Sequence, residues 1–276
     1  MLESILNFRE VDKSPYLTFI WALLITTVGI LLSTQLFYKV TISGVAFNLT
    51  GMFAVIFTIL PSVYFLTKVI NKEEKMEEEA LEKHYKQEFF KRHEKDILMF
   101  LFYFLGVTVA FSIWSLILPT DFFQVQLVKI NEIRAAVSGR MTGDFTGKIV
   151  KGSFASFMAV FSNNIEVMIF SFIFSLLFGA GAVFIIVWNA SILGTCIGAL
   201  SKSVFEIPMV SLSFLPHGIP EVVGYLCAGL AGGLLSAAIL RCRSSSVLET
   251  IFFDSIKIIL LGVFFILIAA GIEVYF

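Results

Sequence analysis

Seven apolar stretches constrain the fold of this chain more than any other feature of its sequence. They cover residues 16–38, 45–67, 97–118, 153–178, 180–200, 217–240 and 251–276. An α-helix needs about 20 residues to cross the hydrocarbon core of a bilayer, and each stretch has that length. The composition agrees, because only 15% of the residues are charged, against about 25% in soluble domains. We therefore predict an all-α fold, a polytopic transmembrane helical bundle of about seven spans.

Positive charges in the connections predict how the bundle is oriented. With a cytoplasmic N-terminus, the inside segments carry 12 Lys and Arg and the outside connections carry 7. Because cytoplasmic loops are enriched in these residues, we expect a multi-pass protein of the cell membrane with its N-terminus in the cytoplasm. An odd number of spans places the C-terminus outside, and a re-entrant segment in place of one span would reverse that side.

Two of the connections between the predicted spans have distinctive sequence patterns. Residues 68–96 carry dense charge of both signs with helical i,i+4 pairs such as Glu79–Lys83, which indicates a charged cytoplasmic helix, either simply solvated or used for docking. In residues 119–152, apolar side chains recur at helical spacing between polar ones such as Gln126. This pattern indicates an amphipathic outer helix that lies in the membrane interface and either caps the bundle or docks a partner.

These connections divide the chain into three parts. We predict an N-terminal three-span unit over residues 1–118, which includes the cytoplasmic helix, an outer amphipathic connection over residues 119–152, and a C-terminal four-span unit over residues 153–276.

Polar residues inside the last four spans are the candidate functional site. Ionisable groups in a membrane are costly unless they are paired or hydrated, so each one is a functional hypothesis. His217 and Glu221 are four residues apart and share a helix face, and with Pro220 in a first turn the sixth span is expected to begin near His217. We predict that these groups form one cluster, composed of Asn163, Asn164, Glu166, Asn189, His217 and Glu221.

The sixth span also carries small residues at a spacing of four. Side chains of this size let two membrane helices approach backbone to backbone. We therefore predict close helix packing through Gly224, Ala228, Gly229, Gly232 and Gly233.

The residues alone leave the role of the cluster open. Asn side chains in membrane helices often serve as interhelical glue. His217 with Glu221 could form a structural hydrogen-bonded pair, a proton relay or substrate gate or, less favoured, part of a metal site. Zinc would need a third protein ligand, and the other two histidines, His84 and His93, lie on the opposite side in this topology. We predict no metal and no cofactor, and the net charge of −1 favours no nucleic-acid partner.

Three segments together resemble the stage II sporulation protein M family. They are FSNNIEV (161–167), LLFGAGAVFIIVWNASILG (176–194) and LPHGIPEVVGYLCAGLAGG (215–233). They match its order of an Asn-Asn pair, a Gly-x-Gly turn, a further Asn, and Pro-His-Gly-x-x-Glu before an Ala/Gly-rich helix. The N-terminal LESILNFREVDKSP resembles the archaeal branch. Glu166 and Ala190 depart from the pattern, and Glu166 changes the charge of the cluster.

The resemblance implies a membrane scaffold or complex subunit that positions partners. In spore-forming bacteria the family member belongs to the engulfment machinery and works with peptidoglycan hydrolases, and this does not make the present chain a hydrolase. The alternative is a transporter or channel-like protein that moves a proton, an ion or a lipid-related substrate through the Asn/His/Glu cluster. An intramembrane hydrolase that uses Glu221 to activate water is a weaker alternative, so the sequence favours a non-enzymatic role. Expected partners are the lipid bilayer and other membrane or outer-face proteins, with a homo-oligomer left open.

Overall fold

The computed structural model describes residues 14–36, 39–42, 45–63, 89–137, 154–178, 181–240 and 245–275. In these ranges the chain forms eight α-helices: α1 (Pro15–Thr34), α2 (Thr50–Val63), α3 (Phe89–Ile117), α4 (Gln124–Val137), α5 (Phe154–Phe178), α6 (Ala182–Leu200), α7 (Ile207–Leu240) and α8 (Ser245–Tyr275). All except α2 and α4 are long and apolar enough to cross a membrane. The prediction of an all-α polytopic bundle is confirmed. The charged segment predicted over residues 68–96 lies mostly outside the described residues.

The second predicted span begins later than expected, because its first residues form a strand. Strand β1 (Lys39–Ile42) pairs antiparallel with β2 (Val45–Asn48), and the β-branched side chains of β1 favour this extended form. Helix α2 begins at Thr50 because the Asn48 side chain caps it. The Asn48 Oδ1 atom accepts hydrogen bonds from the Thr50 backbone N–H at 3.0 Å and from the Thr50 hydroxyl at 2.6 Å.

The expected start of the sixth span near His217 is wrong. Helix α7 follows a short 3-10 turn and begins at Ile207, so both Pro216 and Pro220 lie inside it. Each proline lacks the N–H that would bond the carbonyl four residues earlier, yet a membrane helix tolerates this where neighbouring groups compensate. Together with the 3-10 turn, the apolar segment Val204–Leu240 has 37 residues, which corresponds to roughly 55 Å of helix.

Helix α4 is amphipathic as predicted, but its buried face includes a polar residue. Ile130 of α4 and Phe123, in the 3-10 turn just before α4, are buried with Gln126 between them, whereas the sequence pattern placed Gln126 among the polar residues. The Gln126 Nε2 atom donates to the Gly51 carbonyl at 3.0 Å and lies 3.5 Å from the Ser191 hydroxyl at the midpoint of α6. Helix α4 therefore packs into the bundle against α2 and α6.

The bundle has two packing regions. Helices α1, α2, α3 and α6 surround a core whose largest fully buried side chains include Trp21, Tyr103 and Phe111. Helices α5, α7 and α8 pack around smaller clusters near Met168 and Ile266. Helix α6 packs mainly on α3, where a Cβ atom on Gly194 would overlap the α3 backbone and Phe111. The three-part division of the chain remains a prediction.

Candidate functional site

The Asn164 side chain joins α5 to α7 through a set of hydrogen bonds. Its Nδ2 atom donates to Glu221 Oε1 at 2.6 Å, and its Oδ1 atom accepts from the Tyr225 hydroxyl at 2.9 Å. Asn163 Nδ2 also donates to Asn164 Oδ1, at 3.3 Å. Asn164 and Tyr225 are 4% exposed, so these bonds lie in the interior. We call this set, formed by Asn163, Asn164, Glu221 and Tyr225, the Asn164 cluster.

The parallel packing of α5 and α7 explains why these side chains meet. The Ser171 hydroxyl donates to the Tyr225 carbonyl at 2.9 Å, one contact further along both helices. Small side chains let the helices approach, because a Cβ atom on Gly232 would overlap the Phe172 carbonyl. The residues predicted to mediate close packing, Gly224, Ala228, Gly229, Gly232 and Gly233, are all buried in α7.

Helix α8 packs against α7 beside the site. Gly262 of α8 lies against the Gly224 carbonyl of α7, and further along the antiparallel pair α8 carries Glu273, which is exposed. Glu221 Oε2 makes no hydrogen bond among the described residues, whereas Glu221 Oε1 is bound by Asn164. The Glu221 carboxylate is therefore hydrogen-bonded on the side that faces α5 and has an oxygen without a hydrogen bond on its other side.

The structure leaves three predicted members outside the cluster. Glu166 is exposed on α5. Asn189 donates to the Ile185 carbonyl of its own helix at 2.8 Å, because α6 packs on α3 rather than beside Glu221. His217 is half-buried, and its ring packs edge-on against Phe214 at 6.0 Å between centroids. No hydrogen bond joins His217 to Glu221 in this described part of α7.

Tyr225 belongs to the site through its bond to Asn164, although it was not among the predicted members. Tyr225 lies four residues after Glu221, so the i,i+4 rule that paired His217 with Glu221 also pointed to Tyr225. Within the described residues, no group of three or more His, Cys, Asp or Glu side chains is placed to hold a metal ion.

The apolar helices and the buried hydrogen bonds between them define a multi-pass helical membrane protein with a polar cluster between spans. Residues 97–276 match the model of the family described as Stage II sporulation protein M. The chain therefore belongs to that family, which confirms the resemblance found in the sequence. The match begins within α3 and runs through α8, so it includes the whole Asn164 cluster.

A similar protein occurs in Methanocaldococcus jannaschii, where it is named "Uncharacterized protein MJ0793". It is 27% identical over 124 residues, which cover 44% of this chain and 70% of the relative. This archaeal relative agrees with the resemblance to the archaeal branch. No solved structure matches the chain.

Proposed function

We propose that this protein is a membrane scaffold or complex subunit that positions partner proteins, with its N-terminus in the cytoplasm. The proposal rests on the hydrogen bonds of Asn164. Both ends of its side-chain amide are bound by groups of the same bundle. Buried amides that are satisfied in this way act as glue between membrane helices. A polar cluster that fixes α5 to α7 suits a rigid platform.

The outer part of α7 supplies a surface for a partner. Alignment of α5 with α7 through Asn164 and Glu221 leaves the first turn of α7, and the 3-10 turn before it, beyond the start of α5. An apolar stripe runs along this segment, in which Phe205 of the 3-10 turn is 94% exposed and Met209 is 77% exposed, and Leu212 continues it one turn later. We call Phe205, Met209 and Leu212 the α7 stripe, and we propose that another membrane or outer-face protein binds it.

Photocrosslinking from the α7 stripe tests the scaffold proposal. We expect a photoreactive amino acid at Phe205, in the full chain in its native membrane, to give a discrete protein adduct. The matched control is Leu260, which is 63% exposed on α8 and is expected to face lipid. Lipid adducts alone at both positions would contradict the scaffold proposal, and an adduct with a second copy would identify the partner as this protein.

A second candidate function is transport of a proton or an ion. It is favoured by the Glu221 oxygen that has no hydrogen bond. Glu221 Oε2 has no hydrogen-bond partner among the described residues, whereas Oε1 is bound by Asn164. Gly218 lies three residues before Glu221 on the same side of α7, and a Cβ atom there would meet no other atom within 4 Å. Open space beside a carboxylate, in a membrane helix that contains two prolines, is compatible with a transport site.

Proton flux in proteoliposomes separates the two candidates. If the protein conducts protons, the full chain should dissipate an imposed pH gradient, read by a trapped pH-sensitive dye, and Glu221→Gln should abolish the effect. Glu166→Gln is the matched control, because that carboxylate is exposed on α5 and its loss should leave the flux unchanged. The scaffold proposal expects the same slow leak for all three proteins as for empty vesicles.

A further inference from the structure

A second set of buried polar groups lies where α4 meets α2 and α6. Gln126 of α4 is 0% exposed and bonds the Gly51 carbonyl near the start of α2. Asn48 is 1% exposed and caps that same helix start. Thr195 is 1% exposed and lies one helical turn after Ser191, the α6 residue that Gln126 approaches. We call Asn48, Gln126 and Thr195 the α4 junction.

Each residue of the α4 junction has one buried polar atom without a hydrogen-bond partner. The atoms are Asn48 Nδ2, Gln126 Oε1 and Thr195 Oγ1. Asn48 and Gln126 both bond the start of α2, and Thr195 lies on α6 one turn from the residue that Gln126 approaches. Buried polar atoms are nearly always satisfied by protein or by ordered water, and a concentration of exceptions points to a bound molecule.

Exchanging the oxygen and nitrogen positions of the Asn48 and Gln126 side-chain amides does not give these atoms partners. In Gln126 the nitrogen must face the Gly51 carbonyl, because that carbonyl can only accept. In Asn48 the oxygen must face Thr50, whose backbone N–H and hydroxyl both donate to it. The opposite end of each amide is therefore fixed as an acceptor in Gln126 and as a donor in Asn48.

We propose that the α4 junction binds water. A water molecule both donates and accepts, so it can donate to Gln126 Oε1 and accept from Asn48 Nδ2, with the Thr195 hydroxyl as a further partner. The Gln126 side chain packs directly on Gly51, where an added Cβ atom would overlap it, and the three residues are closed off from the surface. This water belongs to different helices from the Asn164 cluster, and it ties α4 to both α2 and α6.

Water-edited magic-angle-spinning NMR on the full chain in lipid nanodiscs tests the proposal. Magnetisation transferred from water should reach the Asn48 side-chain amide. The backbone N–H of Ala190 is the internal control, because Ala190 is 0% exposed within the apolar core and should receive no transfer. If the Asn48 amide shows no more transfer than Ala190 in a folded protein, the proposal is overturned.

Two variants show which residues hold the water. Gln126→Met keeps the length of the side chain and removes its acceptor, so the water signal at Asn48 should fall to the level of Ala190. Thr195→Val keeps the shape of α6 and removes one partner, so the signal at Asn48 should weaken even if the Gln126 variant does not fold. A signal at Asn48 that either folded variant leaves unchanged would contradict the assigned partners.

Discussion

Replacing Asn164 by leucine should lower the free energy of unfolding by about 2–6 kcal/mol, at about 1–3 kcal/mol for each buried group left unsatisfied. The substitution keeps the approximate volume of the side chain and removes both ends of the amide. Glu221 Oε1 then loses its donor at 2.6 Å, and the Tyr225 hydroxyl loses its acceptor at 2.9 Å. Both groups lie at the contact of α5 with α7, where Tyr225 is buried and Glu221 is half-buried, so water replaces the lost bonds only in part. Reversible unfolding in mixed micelles, followed by tryptophan fluorescence, measures the change.

Asn163→Leu is the matched control for this prediction. Asn163 precedes Asn164 on α5, is half-buried, and makes one longer bond, at 3.3 Å, to Asn164. Its loss leaves Glu221 and Tyr225 paired, so the expected cost is less than about 1 kcal/mol, in the range of a single weak hydrogen bond. Equal costs for the two leucine variants would show that the Asn164 cluster does not hold α5 to α7. A double-mutant cycle with Glu221→Gln then measures the coupling directly.

The sequence predicts the class of fold because length and hydropathy decide which segments can cross a membrane. The predicted boundaries of two spans are wrong, at Val45–Asn48 and at His217, because local structure decides where those helices begin. The strand depends on pairing with Lys39–Ile42, and α7 continues through two prolines that in water would end a helix. Neither feature changes the average hydropathy of its segment, so neither can be recognised from apolar length alone.

The sequence predicts only part of the candidate site, because it does not show which helices are neighbours in the bundle. Asn163, Asn164 and Glu221 meet because α5 and α7 are neighbours, and the small residues of α7 already indicated a close neighbour. Asn189 stays apart because α6 packs on α3, and helix order in space cannot be read from periodicity. Gln126 was placed on the wrong face of α4 because its partner, the Gly51 carbonyl, is a backbone group that no side-chain pattern records.

Gly232→Ala should destabilise the protein by about 1–3 kcal/mol, the usual cost of forcing added atoms into a packed core. The new Cβ atom would overlap the Phe172 carbonyl and would lie 3.0 Å from the Ser175 Cβ atom. The first of these is backbone, so no side chain can turn away, and α5 and α7 must separate. Separation also lengthens the bonds of the Asn164 cluster, which depend on the same helix pair. Unfolding in mixed micelles measures the cost.

Gly218→Ala makes the same change on the same helix and should cost less than about 0.5 kcal/mol, as at a site without close contacts. A Cβ atom on Gly218 would meet nothing within 4 Å. The pair therefore separates the effect of close packing from the effect of alanine on the helix itself. A distance measurement between spin labels at Leu177 of α5 and Ile239 of α7, which are both exposed, should show a longer spacing only for Gly232→Ala. If both alanine variants leave the stability and the spacing unchanged, the small residues of α7 do not set the approach of α5.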